Sequence, residues 1–195
     1  MGTLTFSEIR SKADERTRYV NKSASLLLSE AVKAQSQSPS TGYDIFLSHS
    51  FLDAKDVYGL KLKLEQDFGH SVYVDWLDAP QLDRSRVSPG TAEIIRARMG
   101  RCRCLLYAAT DNSTQSKWMP WECGYFDGKV GRSAILPITQ YSNSDFKGQE
   151  YLGIYPYVSA DPTRESGKRV LWVQKSPTVY CSLTNWLNGA QPTPH

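Results

Sequence analysis

Glu122 and Trp118 are the residues of this chain whose types and spacing suit chemistry best. Pro120 lies between them in Ser116-Lys117-Trp118-Met119-Pro120-Trp121-Glu122. Proline is tolerated in a helix only in its first turn, so a helix must begin near Ser116 or Lys117. Trp118 and Glu122 are then one turn apart on one face. Together they offer a single ligand an aromatic plane and a carboxylate. The cysteines and histidines offer less. Cys102, Cys104, Cys123 and Cys181 form no C-x-x-C pair, and His49, His70 and His195 do not cluster with them. Zinc-type spacing is therefore missing, and no metal site is expected. Cys102 and Cys104 read as small buried residues on one face of a strand.

The elements that must position the pair alternate strand and helix. Apolar runs at 43–48, 71–75, 103–109, 133–138 and 170–174 read as strands. Helical stripes run over 53–68, ended by Gly69, over 91–99 with Thr91 as N-cap, and from about 116 to 130. Ser176-Pro177 reads as the N-cap and first residue of a last helix. Strands separated by helices imply βαβ units and a parallel sheet. The expected fold is α/β, a flavodoxin-like three-layer arrangement with five parallel strands in the order 2-1-3-4-5. In such sheets ligands bind outside the carboxyl ends of the strands, which points to the loops after Ser48, Asp75, Ala109 and Ile138. The stretch 76–90 reads as a long polar loop and 139–168 as a long irregular stretch, whose length suggests function or flexibility.

Ahead of these lies an amphipathic segment, expected as one helix over 1–34. Its stripe of Phe6, Ile9, Ala13, Val20, Ala24, Leu27 and Ala31 must be buried on the domain or on another copy. The expected organisation is an N-terminal helical extension and linker at 1–42, a domain at 43–187 and a tail at 188–195.

Three segments resemble the TIR (Toll/interleukin-1 receptor) family. Tyr43-Asp44-Ile45-Phe46-Leu47-Ser48-His49-Ser50, with Asp53 following, resembles its opening strand. Val74-Asp75-Trp76 leads into a loop similar to the family's BB loop, closed by Gly90. The stretch Ser116 to Glu122 resembles the Ser-x-Trp-Cys-x-x-Glu signature of catalytic members, with Met119 in place of the cysteine. The resemblance spans about residues 43–187. It implies a bacterial TIR enzyme, Thoeris-like and antiphage, that breaks the nicotinamide–ribose bond of NAD and releases an ADP-ribose-type signalling nucleotide, linear, cyclic or transferred. It implies Glu122 as the catalytic group. That cleavage builds an oxocarbenium-like ribose, as glycoside hydrolysis does, and nicotinamide leaves as a neutral molecule, so one carboxylate can suffice. Trp118 can stack on a flat heterocycle. Ser48 and His49 can line the pocket with Asp75 and Trp76, and Arg84 and Arg86 can attract the pyrophosphate.

Two other readings stand beside this one. The first is a non-catalytic TIR module that only self-associates. It predicts a partner domain elsewhere in the chain, for which 195 residues leave little room. The second is another nucleotide-processing enzyme, such as a nucleoside deoxyribosyltransferase. NAD enters as substrate, with no cofactor expected. The expected partners are further copies of the chain and a separate effector protein that senses the product. A net charge of +3 is weaker and less clustered than nucleic-acid binders show. No apolar run reaches transmembrane length and no signal-peptide pattern opens the chain, so a cytoplasmic protein is expected.

Overall fold

The computed structural model describes residues 2–37, 42–50, 54–75, 88–110, 113, 116–141 and 150–195. The N-terminal segment is a short strand and two helices, where one helix was expected. Leu4–Thr5 (β1) leads into Phe6–Val20 (α1) through a capping box. The Thr5 hydroxyl accepts from the Glu8 amide, and the Glu8 carboxylate accepts from the Thr5 amide. Asn21, left-handed at φ 51°, stops α1 before Ala24–Gln37 (α2). This break resets the stripe. Ile9 and Ala13 are buried as expected, but in α2 Leu28 and Val32 are buried, with Leu27 only packed at the margin.

Beyond it come Tyr43–Ser48 (β2), Ala54–Leu62 (α3, continued by a π-helical turn over Lys63–Asp67), Val72–Val74 (β3), Pro89–Met99 (α4), Cys102–Ala109 (β4), Trp118–Val130 (α5) and Ser133–Thr139 (β5). Gly69 follows α3 with φ 75°, the left-handed stop the sequence implied. The N-cap of α4 is Ser88, three residues ahead of Thr91. Its hydroxyl accepts from the Thr91 amide, because Pro89 takes the N1 position that needs no donor.

The four strands β3-β2-β4-β5 pair in parallel in that order, which is the expected 2-1-3-4 arrangement. The flavodoxin-like α/β fold is therefore present. Its far side differs from the expectation of five parallel strands. Tyr157–Pro162 (β6), inside the stretch read as irregular, pairs in parallel with β5. Arg169–Ser176 (β7), expected as the fifth parallel strand, lies antiparallel to β6. Ser176-Pro177 opens no helix. It turns the chain into Val179–Ser182 (β8), antiparallel to β7, and Ser182 then caps the short Leu183–Leu187 (α6). Thr193–Pro194 (β9) closes the edge against β8. A strand that returns through a tight hairpin must run antiparallel, and the few residues between β6, β7 and β8 leave no room for a crossover.

Two apolar layers sandwich the sheet. One lies under α1, α2, α3 and α6 and takes Ile45, Leu47, Val74, Leu106, Leu136, Ile138 and Val173. The other lies under α4 and α5 and takes Phe46, Tyr73, Leu105, Tyr107, Met119 and Phe126. Cys102 and Cys104, expected on one face, fall in opposite layers. Cys102 opens β4 straight from the end of α4 and its thiol reaches the Arg98 carbonyl. All four cysteines are free thiols.

The N-terminal segment buries its stripe on this same chain. The strand β1 runs beside the carboxyl half of β5, pairing Leu4 with Ile138 and Thr5 with Thr139. The Gly2 carbonyl accepts from the Ala160 amide of β6. Helix α1 lies across α3 at Gly59, where any Cβ would stand 1.9 Å from the Ile9 carbonyl oxygen. Glu8 ties the segment down further. It pairs with Arg169 of β7 and lies 3.9 Å from Lys63. Burial alone would raise its carboxyl, but Arg169, the Thr5 amide and Lys63 together hold it below the usual range.

Candidate functional site

The carboxyl ends of β2, β3 and β4 meet the start of α5 on the α4/α5 side of the sheet. Strand alternation decides which side chains arrive there. Phe46 and Ser48 point to that side, while Ile45, Leu47 and His49 point to the other. On α5, Trp118 opens the helix, and the Ser116 hydroxyl accepts from the Met119 amide in the absence of a side-chain cap at Lys117. Pro120 sits in this first turn, as its chemistry requires. One turn on, Glu122 points inward.

Glu122 has no exposed surface, and its Oε2 accepts a hydrogen bond from the Ser48 hydroxyl at 2.6 Å. A carboxyl group buried this completely is costly unless its oxygens are hydrogen-bonded, and the Ser48 hydroxyl supplies one such bond. Nothing about the apolar stripe of α5 demands a carboxylate at this position. Cys123 beside it is no nucleophile. Burial pushes its thiol up to about 11, with hydrogen bonds from Tyr155 and Ser133 pulling the other way, so it remains a thiol near neutral pH.

Trp118 is buried to 7% exposure and meets Trp121 edge-to-face at 5.4 Å. In this arrangement it is a wall of the core more than an open stacking plane. Trp121 stacks in turn on Tyr125, and Arg96 of α4 lies over both rings. Asp75 follows the last residue of β3 and is almost fully buried. It is engaged by the Arg98 guanidinium of α4 as an ion pair. Sequence reasoning passed over Arg98, because an arginine in the last turn of a helix is explained by the helix dipole alone. The packing of α4 on the face that also buries Tyr73 is what gives the residue its partner.

His49 follows the strand residue that holds Glu122 and points to the other side of the sheet. It lies on the α1/α3 side, where a cavity of about 50 Å³ is lined by Phe6, Ile9, His49, Ser50, Asp56 and Thr110 among others. Asp56 there is held by a bidentate Arg10 at 2.6 and 2.9 Å. The alternation of the opening strand already contained this separation of His49 from Ser48. Trp76, Arg84 and Arg86 lie outside the described residues. Among the described residues no cluster of three or more His, Cys, Asp or Glu could hold a metal ion, and no helix is long and apolar enough to cross a membrane.

No family model matches the chain. A probable 3′ cyclic ADP-D-ribose synthase, ThsB′ of Bacillus cereus (strain MSX-D12), is 48% identical to it over 168 residues, 86% of this chain and 86% of that protein. A putative cyclic ADP-D-ribose synthase, TIR2 of Cytobacillus dafuensis, is 32% identical over 84 residues, covering 43% of this chain and 22% of that larger protein. The chain belongs to the TIR family. Its TIR sheet explains why one carboxylate is buried under the carboxyl ends of the strands, where ligands of doubly wound folds bind.

Proposed function

We propose that this TIR protein is an NAD-cleaving enzyme of bacterial antiviral defence that converts NAD into a cyclic ADP-ribose signal. The observation that carries the reading is Glu122, a fully buried carboxylate held by Ser48 at the head of α5, in a chain 48% identical to a 3′ cyclic ADP-D-ribose synthase. The bond between nicotinamide and the ribose anomeric carbon breaks, and its electron pair leaves on the nicotinamide nitrogen. Glu122 lies where a negative charge stabilises the oxocarbenium-like sugar that remains. A hydroxyl of the other ribose then forms the new bond to the anomeric carbon and gives up its proton, for which Glu122 is the acceptor. Positioning decides between this hydroxyl and water. NAD is consumed as substrate and no further cofactor takes part. Ser48 holds Glu122, Trp118 opens the helix one turn ahead of it, and Trp76, Arg84 and Arg86 are the further residues read from the sequence as contacting NAD. The protein works in the cytoplasm, as a homo-oligomer, and a separate effector senses the product.

The test is incubation of purified protein with NAD, with products identified by mass spectrometry beside the Glu122→Gln variant. Nicotinamide and a cyclic ADP-ribose are expected from the unaltered chain. Linear ADP-ribose as the only product overturns cyclisation. Absence of nicotinamide under all activating conditions overturns the enzyme.

A further inference from the structure

The ion pair between Asp75 and Arg98 is largely buried. The Asp75 side chain is 4% exposed and that of Arg98 15%. Taking both charges out of water costs several kcal/mol, and such pairs are seldom a net gain over apolar residues of similar size. The pair therefore calls for a reason other than stability, and its place in the chain supplies one. The last ladder pair of β2 and β3 joins Leu47 to Val74. The next residues are Ser48, which holds Glu122, and Asp75. Arg98 is on α4, and α4 begins at Ser88, whose hydroxyl caps it at Thr91. The chain from 76 to 87 thus leaves from Asp75 and returns at Ser88. Arg98 is the side chain that joins its point of departure to the helix of its return.

We infer that Arg98 is a positioning residue of the NAD site. Through Asp75 it fixes the end of β3 beside Ser48, and it links that end to α4, the helix into which the chain returns at Ser88. It acts through Asp75 and touches no reacting atom. Asp75, expected from sequence to contact substrate, is then committed to the clamp. The inference rests on the enzymatic reading given above.

The clamp predicts an effect on substrate capture more than on bond breaking. Arg98→Gln and Asp75→Asn each raise the KM for NAD roughly ten-fold with a smaller change in kcat, because a small misplacement of a positioning group costs that much or more. The double variant is no worse than the worse single one, since each partner acts through the other. Arg98→Lys, which keeps the charge, recovers most of the loss. A KM within two-fold of the unaltered chain in the single variants, an additive double variant, or a kcat loss with KM unmoved overturns the proposal. Should Arg98→Gln fail to fold, Asp75→Asn, which keeps the size and shape of its side chain, carries the test. Trypsin supplies a readout that needs no activity, because Arg84 and Arg86 are its cleavage sites inside the segment. Cleavage there is several-fold faster in folded Arg98→Gln than in the unaltered chain. Faster cleavage in a protein that releases no nicotinamide retains the clamp and removes the enzymatic reading, whereas unchanged cleavage and unchanged KM remove the clamp alone.

Discussion

The two faces of the sheet solve different problems. The face under α1, α2, α3 and α6 carries the larger apolar cluster, from β3 across to β8, with β1 and α1 completing it from the N-terminus and Gln35 and Lys61 buried at its edge on the Val72 carbonyl. The face under α4 and α5 is narrower, and at its carboxyl end it buries Ser48, Asp75 and Glu122 among the aromatic and aliphatic side chains. Apolar burial stabilises at about 25 cal/mol per Å², whereas each buried charge opposes folding unless it is matched. The first face supplies most of the apolar burial, and part of that stability offsets the cost of the acidic groups buried in the second. Substitutions on the two faces should therefore separate into those that change stability and those that change turnover.

The largest effect belongs to Glu122. Glutamine keeps the shape, removes the charge and can still accept from Ser48. Turnover of NAD should fall by roughly 10²–10³, the usual loss on removing one preorganised electrostatic contact, while the melting temperature holds or rises because a buried charge has gone. A variant that unfolds in step with its loss of activity would place Glu122 among the structural residues and collapse the distinction between the faces.

Gly59 probes the opposite face. A methyl group there would meet the Ile9 backbone at 1.9 Å, and backbone cannot rotate away as a side chain can. Gly59→Ala should cost about 1–3 kcal/mol as an overpacked contact, seen as a lower midpoint in urea. Activity per folded molecule should hold. Equal loss of activity at temperatures where the variant is fully folded would show that α1 bears on the chemistry after all.

Neighbouring residues sharpen the contrast. Ser48 and His49 are consecutive, and they point to opposite sides of β2. Ser48→Ala removes the 2.6 Å hydrogen bond to Glu122. A lost bond to a charged group is worth about 1.5–3 kcal/mol, so turnover should drop about ten-fold or more. His49→Asn, in the cavity under α1, should lower turnover less than Ser48→Ala does and act mainly on stability. The reverse order in kcat would mean that His49, as the sequence alone suggested, belongs to the pocket.

Much of this contrast was legible before any coordinates. Strands β2, β3, β4 and β5 are dense apolar runs bounded by polar turns, and such runs pair wherever a sheet exists. Pro120 fixed the start of α5, and with it the direction of Glu122. The antiparallel side was not legible. Tyr157–Pro162 ends in Ala-Asp-Pro and has little apolar density, so it becomes a strand only because β5 and β7 flank it. Ser176-Pro177 carries the local chemistry of a helix start, yet tertiary pairing with β7 overrides it and moves the cap to Ser182. The partner of Asp75 was hidden for another reason. Arg98 is twenty-three residues away, and only the docking of α4 against β3 joins them.

The smallest expected effect is one of pH, and it lies on the structural face. His70 lies between Gly69 and β3 and is 8% exposed. Burial holds its imidazole below the ordinary 6.5, with Arg103 acting in the same direction and the Asp44 carboxylate opposing both. The unfolded chain takes up a proton at His70 near pH 6.5, and the folded chain does so only at lower pH. The unfolded state therefore binds more protons in between, and folding stability falls as pH drops through that window. Above pH 6.5 the contribution is fully present. Asp44 acts in a different range. Burial would raise its carboxyl, but bonds from Ser71 and Arg103 hold it below 3.8, so its share of the stability persists until the solution is far more acidic. The two groups are thus separable by pH alone. Urea denaturation at about pH 7.5 and about pH 5.5 should show the unaltered chain losing more stability on acidification than His70→Asn does. Turnover by the Glu122 face, corrected for the folded fraction, should keep the same pH dependence in both proteins. Equal loss of stability in the two would mean that His70 titrates normally. A shifted activity profile would mean that the two faces are coupled through β3, and that the division of labour drawn between them is wrong.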